Sequence, residues 1–247
     1  MPAMTVGTGR ALIRGHYHEK VLAMQPIAYW PLWEASGTVA KCLVNTAQNG
    51  TYSSDVSTWP VGAGIGDGNT APQFDGANDY INVFSAAFSA VFPGAVGSFA
   101  GWVRVANVGV WTDGTRRDST ILFDDANNYI ILRRAVANNT YQYLYQAGGV
   151  LGIRSAAGLA NTGWVHVAMT WSDGTSANEM KCYWNAVQQG ATVGALGNWA
   201  GGGLDPNQTL IGATTMVPAN VWSGGQAHFS LFNRVLSLPE IQALSTV

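Results

Sequence analysis

Short runs in which hydrophobic and polar residues alternate make up most of the chain, with Gly, Asn and Asp between them. In residues 98–105, Trp102 falls on the opposite face from Val103 and Val105, because successive side chains of a strand point to opposite sides. In residues 163–171 one face has Trp164, His166, Ala168 and Thr170, and the other has Val165, Val167 and Met169. This two-residue period predicts strands with a buried face.

Turn-forming residues join neighbouring runs into hairpins. Strands over residues 120–123 and 129–133 flank a connection that runs from Asp124 to Asn128, and strands over residues 141–146 and 150–155 meet around Gly148-Gly149. Asp173-Gly174 predicts a turn into a strand over residues 180–184. Strands at such short intervals predict an all-β fold, an antiparallel β-sandwich.

Helical signals occur only near the two ends. Residues 17–23 have enough helix formers for one or two turns, which Pro26 stops. Ser237 and Glu240 form a capping-box pattern ahead of a short helix over residues 238–244. We therefore divide the chain into an extended N-terminal arm, residues 1–16, and one domain, residues 17–247, a length that a single sandwich commonly has.

Composition favours association over electrostatic recognition. Charged residues make up 11% of the chain, against about 25% in an ordinary soluble domain, so little charge repulsion keeps copies apart. We expect a homo-oligomer or a place in a large assembly. The net charge of −2 gives no reason to expect nucleic acid or an anionic membrane as a partner.

The arm contains Gly and cannot fold alone, which favours a role in partner binding. We assign that role to Arg10, Ile13, Arg14 and Tyr17. The chain starts without the continuous apolar stretch of a secretory signal, so we expect none. Without one, Cys42 and Cys182 are expected to be free or buried thiols rather than a disulfide.

Several motifs, in order, resemble the laminin-G-like, concanavalin-like jelly-roll family over residues 17–244. They are the opening strand and turn at residues 26–38, the Phe-Asp-Gly-x-x-Asp-Tyr pattern at residues 74–80, the Trp102 strand, the Trp164 strand, and the last strand and helix at residues 229–244. The resemblance implies a jelly roll in which Asp75 and Asp79 brace a turn. Asn185-Ala186 departs from the family's usual Asn-Gly, which puts a tight turn there in doubt. Ala227-His228 replaces an Asp found in some members.

The pattern Tyr17-x-x-x-Val21-Leu22 followed by Pro26-x-Ala28-Tyr29-Trp30 is similar to such modules in tailed-phage virion proteins. This resemblance implies a virion structural or accessory protein, a capsid decoration or tail-associated module that contacts a major capsid or tail protein. Such a protein is made in the host cytoplasm and located in the virion. The alternative is a carbohydrate-binding, lectin-like module, located outside the cell.

Residues suited to catalysis are scattered along the sequence. Jelly-roll glucanases need two carboxylates that flank one bond, commonly in a Glu-x-Asp-x-x-Glu segment, which this chain lacks. It also has no Gly-x-Ser-x-Gly elbow for a catalytic triad, and His166 lies within a strand pattern. We therefore expect a non-enzymatic protein and place glycoside hydrolysis third.

Two loops combine an aromatic platform with polar groups, as sugar sites do. One contains Trp111, Asp113 and Arg116, and its polar surroundings predict that Trp111 is exposed. The other contains Trp199, ahead of Gly201-Gly202-Gly203. An exposed Trp111 suits a protein partner as well as a sugar, and both alternatives stay open.

The connection between the strands over residues 120–133 carries hard oxygen atoms of the kind that Ca²⁺ binds. They belong to Asp124, Asp125, Asn127 and Asn128. The same residue types are common in metal-free turns, which is the favoured interpretation. We expect no obligatory cofactor and leave Ca²⁺ as the alternative.

Overall fold

The computed structural model describes residues 17–54, 56–136, 139–174 and 177–247, and within them two antiparallel β-sheets lie face to face. The first sheet has nine strands in this described part: β1 (Ala28–Trp30), β4 (Val61–Ala63), β5 (Thr70–Asp75), β7 (Val96–Val103), β12 (Val165–Ser172), β13 (Glu179–Trp184), β14 (Val187–Gln188), β15 (Val193–Gly194) and β17 (Ser223–Phe232). The second has eight: β2 (Val39–Ala40), β3 (Gly50–Tyr52), β6 (Ile81–Asn82), β8 (Arg117–Asp125), β9 (Asn128–Arg134), β10 (Tyr141–Ala147), β11 (Val150–Ala156) and β16 (Thr209–Ile211). The predicted all-β sandwich is confirmed.

Strand order follows the hairpin signals of the sequence. The first sheet runs β14-β13-β12-β7-β17-β5-β4, with β1 on β17 and β15 on β13. The second runs β11-β10-β9-β8-β16-β6-β3-β2. Four consecutive strands, β8 to β11, therefore form one side of the second sheet, and both predicted hairpins within it are confirmed.

The main core fills the space between the sheets, and the two-residue period decides which side chains enter it. Val165, Val167 and Met169 of β12 face this core, while Trp102 of β7 belongs to a separate cluster on the outer face of the first sheet. Tyr143 of β10 is fully buried in the core, where its hydroxyl donates to the carbonyl of Tyr183 at 2.7 Å. A buried hydroxyl needs such a partner to offset its loss of water.

Two short helices cover the outer face of the first sheet. Helix α1 (Tyr17–Ala23) and helix α3 (Leu238–Leu244) pack there, and the predicted capping box at Ser237 and Glu240 is present. Tyr17, which we assigned to a partner-binding arm, is 3% exposed and donates its hydroxyl to the carbonyl of Leu244 at 2.7 Å. This residue is therefore part of the domain's own core. Arg10, Ile13 and Arg14 lie outside the described residues.

A third helix and three single turns complete the helical structure of the described residues. Helix α2 (Ala86–Val91) begins at Ser85, whose side chain caps it by accepting from the backbone amide of Phe88. The single turns of 3₁₀ helix span Thr46–Gln48, Val56–Thr58 and Val108–Trp111. Cys42 and Cys182 are free and buried, as expected. None of the helices described here has the length and hydropathy needed to cross a membrane.

Two turns differ from expectation. The strands β8 and β9 extend to Asp125 and from Asn128, so their connection has two residues rather than the five expected. Asn185 and Ala186 do form a tight turn between β13 and β14, although the sequence put one in doubt, and both have positive φ, 49° and 60°. Asn tolerates this left-handed conformation, whereas Ala adopts it at a cost.

The outer face of the second sheet carries a smaller hydrophobic cluster. It includes Ile121 of β8, Ile131 of β9 and Leu144 of β10, which lie side by side in the strand register. None of the three described helices belongs to this cluster. The outer face of the second sheet is therefore a surface of side chains that none of the described helices covers.

Candidate functional site

The loop with Trp111 is a structural feature of the core. We expected Trp111 to be exposed, and this is wrong: the side chain is 1% exposed. Its Nε1 donates to the carbonyl of Asn161 at 2.8 Å, and its ring meets that of Trp184 edge to face. Residues distant in sequence bury it, so the polarity of its immediate neighbours was misleading. Trp111 offers no platform for a sugar or a partner.

The two charged residues of that loop are held by other charges. Asp113 accepts from Arg117 at 2.8 Å and lies 3.3 Å from Arg134. Arg116 forms a two-bond pair with the buried carboxylate of Asp118, at 2.8 and 2.7 Å. Such paired bonds fix both groups. Asp113 and Arg116 therefore brace the loop instead of converging on a ligand.

The four oxygen donors at the β8–β9 turn point in different directions. Asp125 accepts from the backbone amide of Asn127 at 2.7 Å and from the side chain of Asn128 at 3.0 Å, which makes it a turn residue. Asn128 is 3% exposed, and its Oδ1 accepts from the amides of Gly148 and Ala200. In the described chain no group of three or more His, Cys, Asp or Glu residues is arranged to hold a metal. Asp125 and Asn128 thus use their oxygen atoms in hydrogen bonds within the fold.

The fourth donor, Asp124, lies in a cleft of 280 Å³ at this end of the sandwich. Trp199 lines the same cleft, so the structure brings together two residues that the sequence placed in separate sites. The other lining residues come from helix α2 and the segment after it, and from the glycine-rich loop: Ser89, Ala90, Phe92, Pro93, Gly201, Gly202, Gly203 and Leu204.

A buried carboxylate holds the loop that carries Trp199. Asp173 is buried, and its Oδ2 accepts from the backbone amide of Trp199 at 2.7 Å and from the hydroxyl of Tyr145 at 2.5 Å. The ring of Trp199 lies 5.5 Å from that of Phe92, edge to face, and a side chain on Gly94 would collide with it. These contacts hold the half-buried indole in one orientation at the cleft wall.

One oxygen of Asp124 has no hydrogen-bond partner, although it is buried. Burial raises the pKa of this carboxyl, Asp125 raises it further, and the backbone amides of Gly203 and Gly202 oppose the change. A buried acceptor without a donor costs about 1–3 kcal/mol, so each such group in a native fold calls for an explanation.

Gly201 lets the carboxylate of Asp124 pack directly against the backbone of the glycine-rich loop. A Cβ atom there would lie 1.3 Å from Oδ2 of Asp124 and 2.8 Å from Nε1 of Trp199. No side chain other than hydrogen fits without displacing the carboxylate. The sequence pointed to Trp199 and the three glycines, but not to Asp173 or Phe92. The Phe92-Pro93-Gly94 run before β7 indicates a loop, but it does not indicate which distant residues that loop contacts.

A chain of three polar groups elsewhere resembles a catalytic relay. The hydroxyl of Tyr29 lies 2.7 Å from Nδ1 of His228, and Nε2 of His228 lies 3.0 Å from Asp67. His228 is 3% exposed and Tyr29 fully buried, so no substrate reaches them. The relay instead ties β1 and β17 to the loop that carries Asp67.

Asp75 and Asp79 brace a turn, since the side chain of Asp79 accepts from the backbone amide of Asp75.

The sequence matches a family model described as the concanavalin A-like lectin/glucanases superfamily, over residues 75–242. The chain belongs to this superfamily. The match covers more than half of the chain and agrees with the two-sheet architecture. No curated protein matches the sequence significantly.

Solved structures with the superfamily's sandwich fold are similar to this chain at low sequence identity. Domain 4 of AbnA, an extracellular arabinanase from Geobacillus stearothermophilus solved with arabinotriose, has a TM-score of 0.60 and 13% identity, with 90% of this chain and 98% of that chain covered. The receptor-binding domain of botulinum neurotoxin mosaic serotype C/D has a TM-score of 0.62 and 13% identity, with 89% and 50% covered. The CBM40 of a Ruminococcus gnavus sialidase, bound to α2,3-sialyllactose, has a TM-score of 0.50 and 14% identity, with 65% and 88% covered. The chain therefore spans half of the toxin domain and nearly all of the arabinanase domain.

Proposed function

We propose that this chain is a non-enzymatic, lectin-like module that binds a neutral oligosaccharide in the cleft between Trp199 and Asp124. The observation that carries the proposal is the fixed indole of Trp199 in a cleft that the carboxylate of Asp124 also lines. Sugar sites pair an apolar ring with a few polar groups, and this cleft contains both. The arabinanase domain with arabinotriose and the CBM40 with sialyllactose support a sugar ligand for this fold.

The cleft's chemistry favours a neutral ligand over an acidic one. Trp199 and Phe92 offer apolar surface to the C–H groups of a sugar ring. The ionised Asp124 can accept a hydrogen bond from a sugar hydroxyl, and it would repel a second carboxylate in the same space. The glycine loop lets the ligand approach the backbone closely.

The carboxylates near the cleft support binding without hydrolysis. A glycosidase needs two that flank the scissile bond, about 5–9.5 Å apart. The carboxylate next in sequence to Asp124, Asp125, is committed to its own turn. Asp173 is committed to Tyr145 and the backbone of Trp199. Neither is available as the second group.

A glycan array followed by calorimetric titration tests this function. We expect hits among neutral oligosaccharides and a loss of about tenfold or more in affinity for Trp199→Ala, because the stacking surface is removed. Trp164→Ala, which removes a half-buried indole elsewhere on the domain, serves as the control. An array without a neutral hit, or equal losses in both variants, would contradict the proposal.

A virion role remains the second candidate function. Helix α1 is fixed to α3 through Tyr17 and through Lys20, whose Nζ donates to the carbonyl of Thr246 at 2.7 Å. The arm, residues 1–16, is thus joined to a fixed point on the domain. With only 11% charged residues, this favours assembly with a capsid or tail protein, or with further copies. Deleting residues 1–16 should abolish incorporation into particles without lowering the domain's melting temperature. Unchanged incorporation would contradict this role.

A further inference from the structure

The outer face of the second sheet has three distinct rows of side chains. The first row has Phe123 and Tyr129, whose rings stack at 6.0 Å with an interplanar angle of 11°. The second row is aliphatic, with Ile121, Ile131 and Leu144. The third has Arg133 opposite Gln142. Because alternate residues of a strand share a face, Tyr129, Ile131 and Arg133 of β9 lie on one surface.

Arg133 forms no hydrogen bond with a carboxylate in the described part of the chain. In the strand register Arg133 lies opposite Asp118. Arg116 donates to both carboxylate oxygens of Asp118, and Thr214 donates to one of them at 2.6 Å. Arg133 donates only its Nε, to Gln142 at 3.0 Å. Within the described part of the chain, its two terminal nitrogens have no hydrogen-bond acceptor.

The electrostatic surroundings of Arg133 favour an anion. Burial lowers the pKa of this guanidinium and Arg116 lowers it further, while Asp118 opposes the change. Two guanidinium groups therefore share one carboxylate. A planar anion would supply the missing acceptors in the two-bond geometry that arginine prefers, and would offset the repulsion between the two arginines.

We propose that the outer face of the second sheet is a separate binding site for an acidic oligosaccharide, with a sugar carboxylate on Arg133 and sugar rings over the aliphatic and stacked aromatic rows. Tyr129 and Arg133 are four residues apart on β9, roughly 13 Å. That separation requires an extended ligand. Charge complementarity at Arg133 selects an acidic one over a neutral one.

The Arg133 end of this site is separate from the cleft. Arg133 lies near the end of β9, whereas Asp124 lies at the hairpin where β9 begins. The two sites also select ligands of opposite kinds, since a carboxylate lines one and a guanidinium the other. A variant that affects one site should leave the other intact.

Affinity electrophoresis with three related polymers tests the proposal: polygalacturonate, neutral galactan and sulfated galactan. We expect the full chain to bind polygalacturonate most strongly. Arg133→Gln keeps a donor for Gln142 but removes the charge, so it should weaken polygalacturonate binding about tenfold or more. Arg133→Lys keeps the charge without the planar fork and should restore part of the affinity.

Two controls separate this site from general charge effects and from the cleft. Lys41→Gln removes an equal charge from an exposed position beside β2, and Gly201→Ala displaces the carboxylate of Asp124 that lines the cleft. Both should bind polygalacturonate like the unmodified chain, and melting temperatures verify that every variant is folded. Absence of polygalacturonate binding, equal binding of galactan or sulfated galactan, or equal losses in the Arg133 and Lys41 variants would overturn the proposal.

Discussion

Asp124 and Trp199, 75 positions apart in the sequence, both lie against Gly201. Oδ2 of Asp124 is buried without a hydrogen-bond partner and takes the place that a Cβ on Gly201 would occupy, a position 2.8 Å from Nε1 of Trp199. Asp173 and Asn128 hold the loop that brings Trp199 to this position, through its backbone amides. The arrangement is a preformed acceptor next to an apolar ring, which is what a sugar hydroxyl and its ring face require.

Replacing Asp124 by Asn should weaken oligosaccharide binding and remove its pH dependence. The ionised carboxylate is the stronger acceptor, by about 1.5–3 kcal/mol for a charged hydrogen bond. Because burial raises the pKa of Asp124, protonation begins at a higher pH than for an ordinary carboxyl. Affinity of the unmodified chain should therefore fall as the pH is lowered through that pKa. Calorimetric titrations across the acidic range measure this, and an Asn variant with the same pH profile would contradict it.

His166 should make the fold sensitive to acid. Its ring is fully buried without a hydrogen-bond partner for either nitrogen, and burial lowers its pKa from 6.5 to about 3. The unfolded chain thus binds a proton below pH 6.5 that the folded chain does not bind. Stability from this group is present above pH 6.5 and is lost as the pH falls toward 3, by up to about 1.4 kcal/mol per pH unit.

The variant His166→Phe keeps the edge-to-face contact with Trp102 and removes the titrating group. We expect urea unfolding at pH 7 to show a free energy of unfolding raised by about 1 kcal/mol or more, since two unsatisfied nitrogens are removed. The advantage over the unmodified chain should widen at pH 5. A constant difference at both pH values would mean that His166 does not titrate as described.

Ala186→Gly should stabilise the domain. Ala186 has φ of 60° in the β13–β14 turn, where glycine adopts the left-handed conformation without a steric cost. We expect a gain of about 0.5–1 kcal/mol in the free energy of unfolding, measured by thermal denaturation. Asn185→Gly is the comparison, because it should instead destabilise: the Asn185 side chain accepts from the amide of His166 at 3.0 Å. A loss of stability in the Ala186 variant would show that its methyl contacts outweigh the strain.

The alternation of hydrophobic and polar residues predicted the architecture, because which side chains of β7 and β12 share a face depends only on neighbouring residues along each strand. Trp111 shows the limit of that approach: its burial depends on Asn161 and Trp184, which lie far away in the sequence. The cleft could not be predicted from the sequence for the same reason. Its walls come from segments around residues 89–94, 124 and 199–204, and only the folded chain brings them together. The sequence therefore supplied Trp199 and Asp124 as candidates but assigned them to different ligands.

The glycine loop provides the most direct measurement, because it contains a matched pair of substitutions. Gly201→Ala places a methyl group 1.3 Å from the position of Oδ2 of Asp124, so the carboxylate has to move out of its place beside Trp199. A Cβ on Gly202 meets nothing within 4 Å, and neither glycine has a positive φ. Calorimetric titration of both variants with the neutral oligosaccharide selected on the array compares them directly. We expect Gly201→Ala to lose about tenfold or more in affinity, and Gly202→Ala to bind like the unmodified chain. Full affinity in a folded Gly201→Ala variant would contradict the assignment of the cleft as the binding site.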